Sequence, residues 1–455
     1  MARAGARRRA VQDAWRSRLW PLPMAGVVGA VLLGVGLPEL DDRLVHRLPE
    51  VLTHFLFRGG PDAGRGVLAA VAGSLITVTS LTFSLTVVTL QLASSQHSPR
   101  VLRTFSQDRV VHVTLAALLG TFVYALTVMR TVRTDFDGQE PFVPQLSVTV
   151  AYLFTLASVI ALVVFLAHLA RKIRVESMLR DVHAETNRTL RRELVAADAP
   201  SAIVEADPAD AAVTVCAGSS GFLIAVDEEA LFAAVVEADA VVRLHRRPGD
   251  SLVAGTPIAV AWPAGDRPLD DAVVERLRAR VQRGVQTGFE RTATQDVAYG
   301  LRQIVDIALR ALSPGVNDPT TAVHAIGHAA ALLCCAADRP SGPRVLRDEA
   351  GRPRVLLDRP DLSSLLRLAV AQPSRYGAQE PEVTARLLML LREVAWSSRD
   401  PRHHRAVLDH LALVLHHLGG QDLPPGEAER LEGLARLVHD AVDHRWPVPS
   451  GVPCR

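Results

Sequence analysis

The chain has 455 residues, 49% of them hydrophobic, and a formal charge of only +2. Near-neutrality removes bulk charge as a reason to expect a nucleic-acid partner. Mean hydropathy is positive at +0.18, and four long apolar runs in the first 170 residues point to a membrane protein.

The chain opens with a basic tail, residues 1–18, carrying Arg3, Arg7, Arg8, Arg9, Arg16 and Arg18. The first apolar run, Leu19–Leu37, resembles a secretory signal in its Arg-rich start and apolar core. No small-x-small cleavage site follows, since the chain continues Leu37-Pro38-Glu39-Leu40-Asp41-Asp42. It reads as an uncleaved anchor. Leu44–Phe57 mixes Leu, Val and Phe with His and Arg. Two readings stand: an interfacial helix on the outer membrane surface, or a packed loop helix broken near Pro49.

The second run, residues 67–93, has no Asp, Glu, Lys or Arg, yet half of the sixteen residues Ser74–Thr89 are Ser or Thr. A lipid-facing helix has no need of so many hydroxyls, whereas a tightly packed helix or one lining a wet path does. Val110–Met129 and Leu146–Ala170 complete a set of four predicted spans in residues 19–170. Each is long enough at about 1.5 Å per residue to cross roughly 30 Å of hydrocarbon. Sixteen basic residues fall in the tail, the loop between spans two and three, and the stretch after span four. Six fall in the opposite loops. The positive-inside rule then places both termini of this multi-pass chain in the cytoplasm.

Arg171–Ala197 is dense in charge and reads as a cytoplasmic continuation of span four, a solvated stalk or a coupling helix, with residues 171–210 as stalk helix and linker. Residues 211–265 read as a small β-rich module. Ala212–Cys216, Gly221–Val226, Val241–Leu244 and Pro257–Ala261 are its strands, and Asp227–Ala238 is a helix with Asp227 as N-cap. The phrase Arg247–Pro257 resembles the hairpins of lipoyl- or biotinyl-type sandwiches. The only lysine of the chain is Lys172, far from this turn, so no prosthetic group is carried here.

Residues 266–455 read as helical. Val297, Leu301, Ile304, Val305, Ala308 and Leu312 keep the spacing of one buried face. Asp318-Pro319 suits the N-cap and first position of a helix over Thr320–Ala337. Further helices are predicted at 361–371, 380–397, 402–418 and 426–443, and residues 338–360 as an exposed Arg/Pro-rich loop. The fold class is therefore an α-helical membrane protein with four transmembrane helices. Its cytoplasmic, mostly helical C-terminal region contains a small α+β, sandwich-like module. The four cysteines, Cys216, Cys334, Cys335 and Cys454, fall on the cytoplasmic side, where thiols stay reduced.

Two phrases resemble the bacterial predicted membrane proteins catalogued as domain of unknown function 2254. One runs Ser80-Leu81-Thr82-Phe83-Ser84-Leu85-Thr86-Val87-Val88-Thr89-Leu90-Gln91-Leu92-Ala93-Ser94-Ser95-Gln96 and on through Ser98-Pro99-Arg100. The other holds Gln295-Asp296, Tyr299–Gln303, Asp306–Pro314 and Asn317-Asp318-Pro319. The resemblance covers nearly the whole chain. It implies an integral membrane protein with a cytoplasmic C-terminal region, and it brings no activity and no catalytic residues.

Three groups of residues are candidates for function. On span two, Thr79, Thr82, Thr86 and Thr89 share one helix face, while Thr77, Ser80, Ser84 and Gln91 lie nearly opposite. The pathway-lining candidates are Thr79, Thr82, Thr86, Thr89 and Gln91. The alternative is packing alone, since Ser and Thr join membrane helices and satisfy their own backbone. His97, His112 and His168 should all lie near the inner interface, as a pH- or metal-sensing ring or as separate interfacial side chains. His324 and His328, one turn apart, lack an evident third metal ligand, and no metal or other cofactor is expected. Asp296, Arg302, Asp306, Arg310, Asn317 and Asp318 form a polar cluster. It either binds a cytosolic ligand or a neighbouring subunit, or is a set of paired surface charges around a helix corner.

No Walker lysine motif, HExxH, GxSxG or dinucleotide glycine pattern occurs, so an enzyme is not expected. The leading expectation is a homo-oligomeric, channel-like or transport protein for a small solute or ion, embedded in the lipid bilayer of the bacterial inner membrane and gated or assembled by its cytoplasmic domain. The alternative is a membrane-anchored scaffold or sensor without conduction.

Overall fold

The computed structural model describes residues 20–44, 56–96, 108–133, 142–172, 174–194, 212–339 and 343–446. The basic tail, most of the Leu44–Phe57 segment, His97, Cys454 and the linker at 196–210 lie outside the described residues. The chain divides into two compact units, Met1–Ser177 and Met178–Arg455.

The N-terminal unit contains α1 (Pro21–Leu44), α2 (Pro61–Gln96), α3 (Arg109–Met129) and α4 (Gln145–Lys172). Helix α3 is its centre and packs against the other three. Small residues let α1 and α3 approach closely: a Cβ on Gly120 would sit 3.4 Å from the carbonyl oxygen of Gly26. Tyr124 is fully buried, donates its hydroxyl to the carbonyl of Ser147 at 3.1 Å, and meets Phe154 edge-on at 5.3 Å. The hydroxyls of Thr121 and Ser158, 2.9 Å apart, add a second polar tie between α3 and α4. Much of the outer surface is apolar, with Leu32, Leu81, Phe83, Tyr152, Ile160 and Val163 all exposed. In water such a surface would cost roughly 25 cal/mol per Å², whereas a hydrocarbon solvent accepts it.

The sequence reading ended the first span at Leu37. The structure carries α1 through Pro38 to Leu44, which brings Asp41 into the bundle.

The C-terminal unit holds α5 (Val175–Glu193) from Met178 onward, then β1 (Val213–Cys216), β2 (Gly221–Val226), α6 (Glu228–Glu237), β3 (Ala240–Leu244), β4 (Ser251–Leu252) and β5 (Pro257–Pro263). Next come α7 (Asp271–Gly284), β6 (Val285–Gly288), α8 (Val297–Ala311), α9 (Pro319–Ala337), β7 (Arg344–Arg347) and β8 (Pro353–Leu357). Helices α10 (Leu362–Tyr376), α11 (Pro381–Trp396), α12 (Pro401–Leu418) and α13 (Pro425–Val442) close the chain. Aspartates 227, 296, 318, 361 and 400 cap α6, α8, α9, α10 and α12, each accepting a backbone N–H of the first turn.

Five strands form one sheet in the order β1-β5-β3-β8-β7, and three form another, β4-β2-β6. All pairings are antiparallel except β3 with β8, which run parallel. Leu223, Val242, Ile258, Leu277, Val281 and Val355 belong to the core that joins both sheets to α6 and α7.

Two expectations are corrected. Residues 338–360 do not make an exposed loop; they supply the β7–β8 hairpin and extend the sheet into the region read as helical. The arginines that suggested solvent are spent internally: the buried Arg354 guanidinium meets Asp348 at 2.9 Å and Asp239 at 2.8 Å. Nor is α5 a solvated stalk. Met178, Leu179, Val182, Thr186, Thr189 and Leu190 form its buried face. Gly300 of α8 lies so close to Thr186 that any Cβ there would collide with the threonine hydroxyl.

Among the described residues five helices are long and apolar enough to cross a membrane: α1, α2, α3, α4 and α9. Helix α9 packs within the C-terminal unit against α8, α10 and α11.

Candidate functional sites in the two units

The two hydroxyl stripes of α2 have different fates. Thr79, Thr82 and Thr89 are buried on the face that meets the bundle, and Thr86 is half-buried beside them. Each spends its hydroxyl proton on the carbonyl one turn back: Thr79 on Leu75 at 2.6 Å, and Thr82, Thr86 and Thr89 on Val78, Thr82 and Leu85 at 2.8 Å. Thr77, Ser80, Ser84 and Gln91 point outward and are exposed. Gly66 and Gly73 share that face, and a Cβ on either would meet nothing within 4 Å. The outward face is therefore a ribbon of small and polar side chains flanked by Ile76, Leu81, Phe83, Val87 and Val88. Gln91 belongs to this outward ribbon, apart from the four threonines with which it was grouped.

Sequence reading missed Asp41. Its side chain is 2% exposed, and its Oδ2 accepts the backbone N–H of Ser147 at 3.1 Å and the Ser147 hydroxyl at 3.3 Å. The first-turn N–H groups of a helix have no partner within it, and Asp41 supplies one to α4 from another helix. The acidic run after Leu37 was visible, but only the continued helix turns it inward.

The histidines do not share one set of partners. His97 lies outside the described residues. His168 on α4 meets Asp108 at 2.5 Å, and the other oxygen of Asp108 caps α3 by accepting the N–H of Val110 at 3.0 Å. His112 is buried on α3, and its Nε2 has no hydrogen-bond partner among the described residues. In the C-terminal unit His328 pairs edge-on with His183, a residue the sequence reading did not single out, at 5.1 Å between ring centroids. Burial lowers the His328 pKa below its ordinary value, and His183 and His324 push it the same way. Among the described residues no group of three His, Cys, Asp or Glu side chains is placed to hold a metal.

The polar cluster of the C-terminal unit is split. Asn317 and Asp318 serve the turn into α9: Asn317 takes φ +47°, and Asp318 accepts from both the N–H and the hydroxyl of Thr321. Those bonds hold the Asp318 carboxyl below its usual range. Asp306 and Arg310 lie on α8 and both have polar partners. Asp296 and Arg302 instead line a cavity of about 280 Å³.

This cavity sits where the parallel strands β3 and β8 end, at Leu244 and Leu357. The residues that leave those strands, Arg246 and Arg247 on one side and Asp358 and Arg359 on the other, line it, together with the first turns of α8 and α10. Carboxyl ends of parallel strands are where ligand crevices form in open α/β sheets.

Asp296 anchors the wall. It caps α8 through Tyr299 N–H at 3.0 Å and takes two bonds from the Arg291 guanidinium at 2.9 and 2.6 Å. Burial nevertheless pushes its carboxyl pKa up. Gly249, at φ +99°, sits so close to this ion pair that a Cβ would collide with both Asp296 and Arg291. The Pro248-Gly249-Asp250 turn, noted for its hairpin form, thus closes over the pair.

A family model described as Predicted membrane protein (DUF2254) matches residues 16–393. The uncharacterized protein MT1328 of Mycobacterium tuberculosis (strain CDC 1551 / Oshkosh) is 37% identical over 414 residues, 90% of this chain and 78% of the relative. The uncharacterized protein Mb1321c of Mycobacterium bovis is 36% identical over 412 residues, with the same coverage of 90% and 78%. No solved structure matches the chain.

Proposed function

We propose, for a chain that belongs to the DUF2254 family of predicted membrane proteins, a homo-oligomeric channel-like or transport protein of the bacterial inner membrane. Helices α1–α4 span the bilayer, both termini are cytoplasmic, and α9, packed among the helices of the C-terminal unit, does not span. The single observation that carries the reading is the outward ribbon of α2, Gly73, Thr77, Ser80, Ser84 and Gln91. Facing lipid, such a ribbon gains nothing. Against second copies, its small residues permit close helix approach and its hydroxyls line a polar path. The path is assigned to this ribbon and not to Thr79, Thr82, Thr86 and Thr89 because those four face the bundle. Bonding to their own helix does not set them apart, since Thr77 of the ribbon also donates to a carbonyl one turn back, Gly73 at 3.1 Å. No charged side chain interrupts α2 between Val67 and Thr89, which favours passive conduction over a carboxylate proton relay.

The test is solute flux in liposomes containing the purified full-length protein, across several salts and pH values. Flux above protein-free vesicles that falls when Ser80 and Ser84 are both changed to Leu supports the reading. Background flux in every condition, from protein shown to be folded, overturns conduction.

A second reading is a membrane-anchored scaffold or sensor without conduction. It is favoured by the committed threonine hydroxyls, since part of the hydroxyl content of α2 serves the carbonyls of its own helix and no solute. In that case the outward ribbon joins copies and encloses no path.

A further inference from the structure

The cavity at the ends of β3 and β8 is lined by five arginines: Arg246, Arg247, Arg291, Arg302 and Arg359. Its carboxylates are equally numerous, so the sign of the site depends on which charges are already spent. Glu193 meets Arg192 at 2.9 Å, Glu228 meets Arg344 at 2.8 Å and Asp358 meets Arg243 at 3.3 Å. Asp296 is held by Arg291, and Asp250 accepts the backbone N–H of Arg247 at 2.9 Å. Four of the five wall carboxylates therefore meet a guanidinium, and Asp250 has an uncharged backbone donor. Three of the donors, Arg192, Arg344 and Arg243, come from outside the cavity lining.

Arg291 is held by Asp296 and Arg302 donates to Gln372 at 3.4 Å, but Arg246 and Arg359 are not matched in return. Arg359 is half-buried, and among the described residues its guanidinium makes no hydrogen bond or ion pair. Arg246 is exposed at the rim in the same condition. Arg247 spends one nitrogen on the carbonyl of Arg359 at 3.2 Å. Burial lowers the Arg359 pKa from its ordinary value and Arg344 adds to that effect, while the nearby but non-contacting carboxylates of Glu193 and Glu228 oppose it. A guanidinium stays protonated in proteins, so a half-buried one without a contacting anion is a cost that a bound anion removes.

We propose that this cavity binds a small phosphate-bearing solute, with Arg359, Arg246 and Arg247 holding its phosphoryl oxygens. Planar guanidinium forks present paired donors that match phosphate geometry. Three of them converge from two adjacent strand ends, a better fit to a tetrahedral oxyanion than to a single carboxylate. A volume of about 280 Å³ admits a phosphate group with a small body, and lies at the lower limit of roughly 300 Å³ usual for ligand sites. The phosphate can belong to a free solute or to a lipid headgroup, and the two sources share this chemistry. The site is independent of conduction: it stands or falls without reference to the path on α2.

The experiment is thermal unfolding and titration calorimetry of the full-length protein in detergent. The probes are inorganic phosphate, pyrophosphate and a short-chain phosphatidic acid, with chloride at matched ionic strength as reference. The expected result is saturable binding and a raised unfolding temperature with at least one phosphate probe. Affinity should fall by about tenfold or more in Arg359→Gln, while Arg280→Gln, on the surface of α7 paired with Glu237, binds as the native chain does. If Arg359→Gln does not fold, Arg246→Gln at the exposed rim carries the same expectation. Pyrophosphate binding without phosphatidic acid binding assigns a free solute, and the reverse assigns a headgroup. No binding beyond the chloride reference, or equal affinity in the native chain and the folded arginine variants, overturns the proposal.

Discussion

The hydroxyl of Thr86 donates to the carbonyl oxygen of Thr82 at 2.8 Å, and the hydroxyl of Thr82 donates in turn to Val78. Two hydroxyls that share a helix face are thus each spent on the carbonyl one turn back and not on a solute. Such bonds explain how a helix without charge carries many hydroxyls at little cost in hydrocarbon. Thr82→Val and Thr86→Val should each change the stability of the N-terminal unit by less than about 1 kcal/mol and leave flux unaltered. Denaturant titration and liposome flux on the same preparations check both halves. A large drop in flux from a stable Thr82→Val protein would place the path on the inward face.

Asp41 makes the opposite kind of bond, between helices. Its carboxylate serves the N–H and hydroxyl of Ser147, next to the carbonyl that accepts the Tyr124 hydroxyl. Asp41→Ala should destabilise the N-terminal unit by about 1–2 kcal/mol, the range for a lost helix cap, with Asp41→Asn retaining part of it. Thermal unfolding of the detergent-solubilised protein reads the difference; equal transitions for all three would remove Asp41 from the list of structural ties.

Gly249 is required twice, for its φ of +99° and for the space beside Asp296 and Arg291. Gly249→Ala should cost about 1–3 kcal/mol in the C-terminal unit and weaken phosphate binding by moving the turn that carries Arg247. Gly255→Ala, also at positive φ but with nothing within 4 Å, should cost less and leave binding intact. The comparison of unfolding midpoints separates strain from collision.

The C-terminal unit should lose stability in mild acid. His328, His403 and His417 all have pKa values lowered by burial. An unfolded histidine takes up its proton near pH 6.5, while these refuse it in the native state. Stability is therefore fully present above about pH 6.5 and falls as pH drops towards their folded values. His328→Gln should flatten this slope between pH 7 and pH 5 in thermal unfolding; an unchanged slope would mean that burial of His328, with His183 and His324 beside it, carries no penalty.

Long apolar runs and Asp-capped helices were legible because each rests on local rules. The four N-terminal helices and the caps at Asp227 and Asp318 lie where the spacing put them. The β7–β8 hairpin was not legible, because Arg344 and Arg354 look solvated until the distant carboxylates of Glu228 and Asp239 are brought to them. The narrow buried stripe of α5 was hidden by charge in the same way. The two faces of α2 could be separated by helical angle, but which face turned inward depended on where α3 packs. The cavity was half visible: Asp296 and Arg302 were grouped by nearness in sequence, whereas Arg247 and Arg359 meet only through the parallel pairing of β3 with β8.

Substituted-cysteine accessibility in membranes tests the assignment of the path most directly. In a background lacking Cys216, Cys334, Cys335 and Cys454, Ser80→Cys, Ser84→Cys and Thr82→Cys are compared with a water-soluble thiol reagent and with an oxidant that cross-links copies. The expected result is modification at positions 80 and 84, disulfide-linked copies through at least one of them, and protection at position 82. Modification at position 82, with positions 80 and 84 protected and uncross-linked, would contradict it.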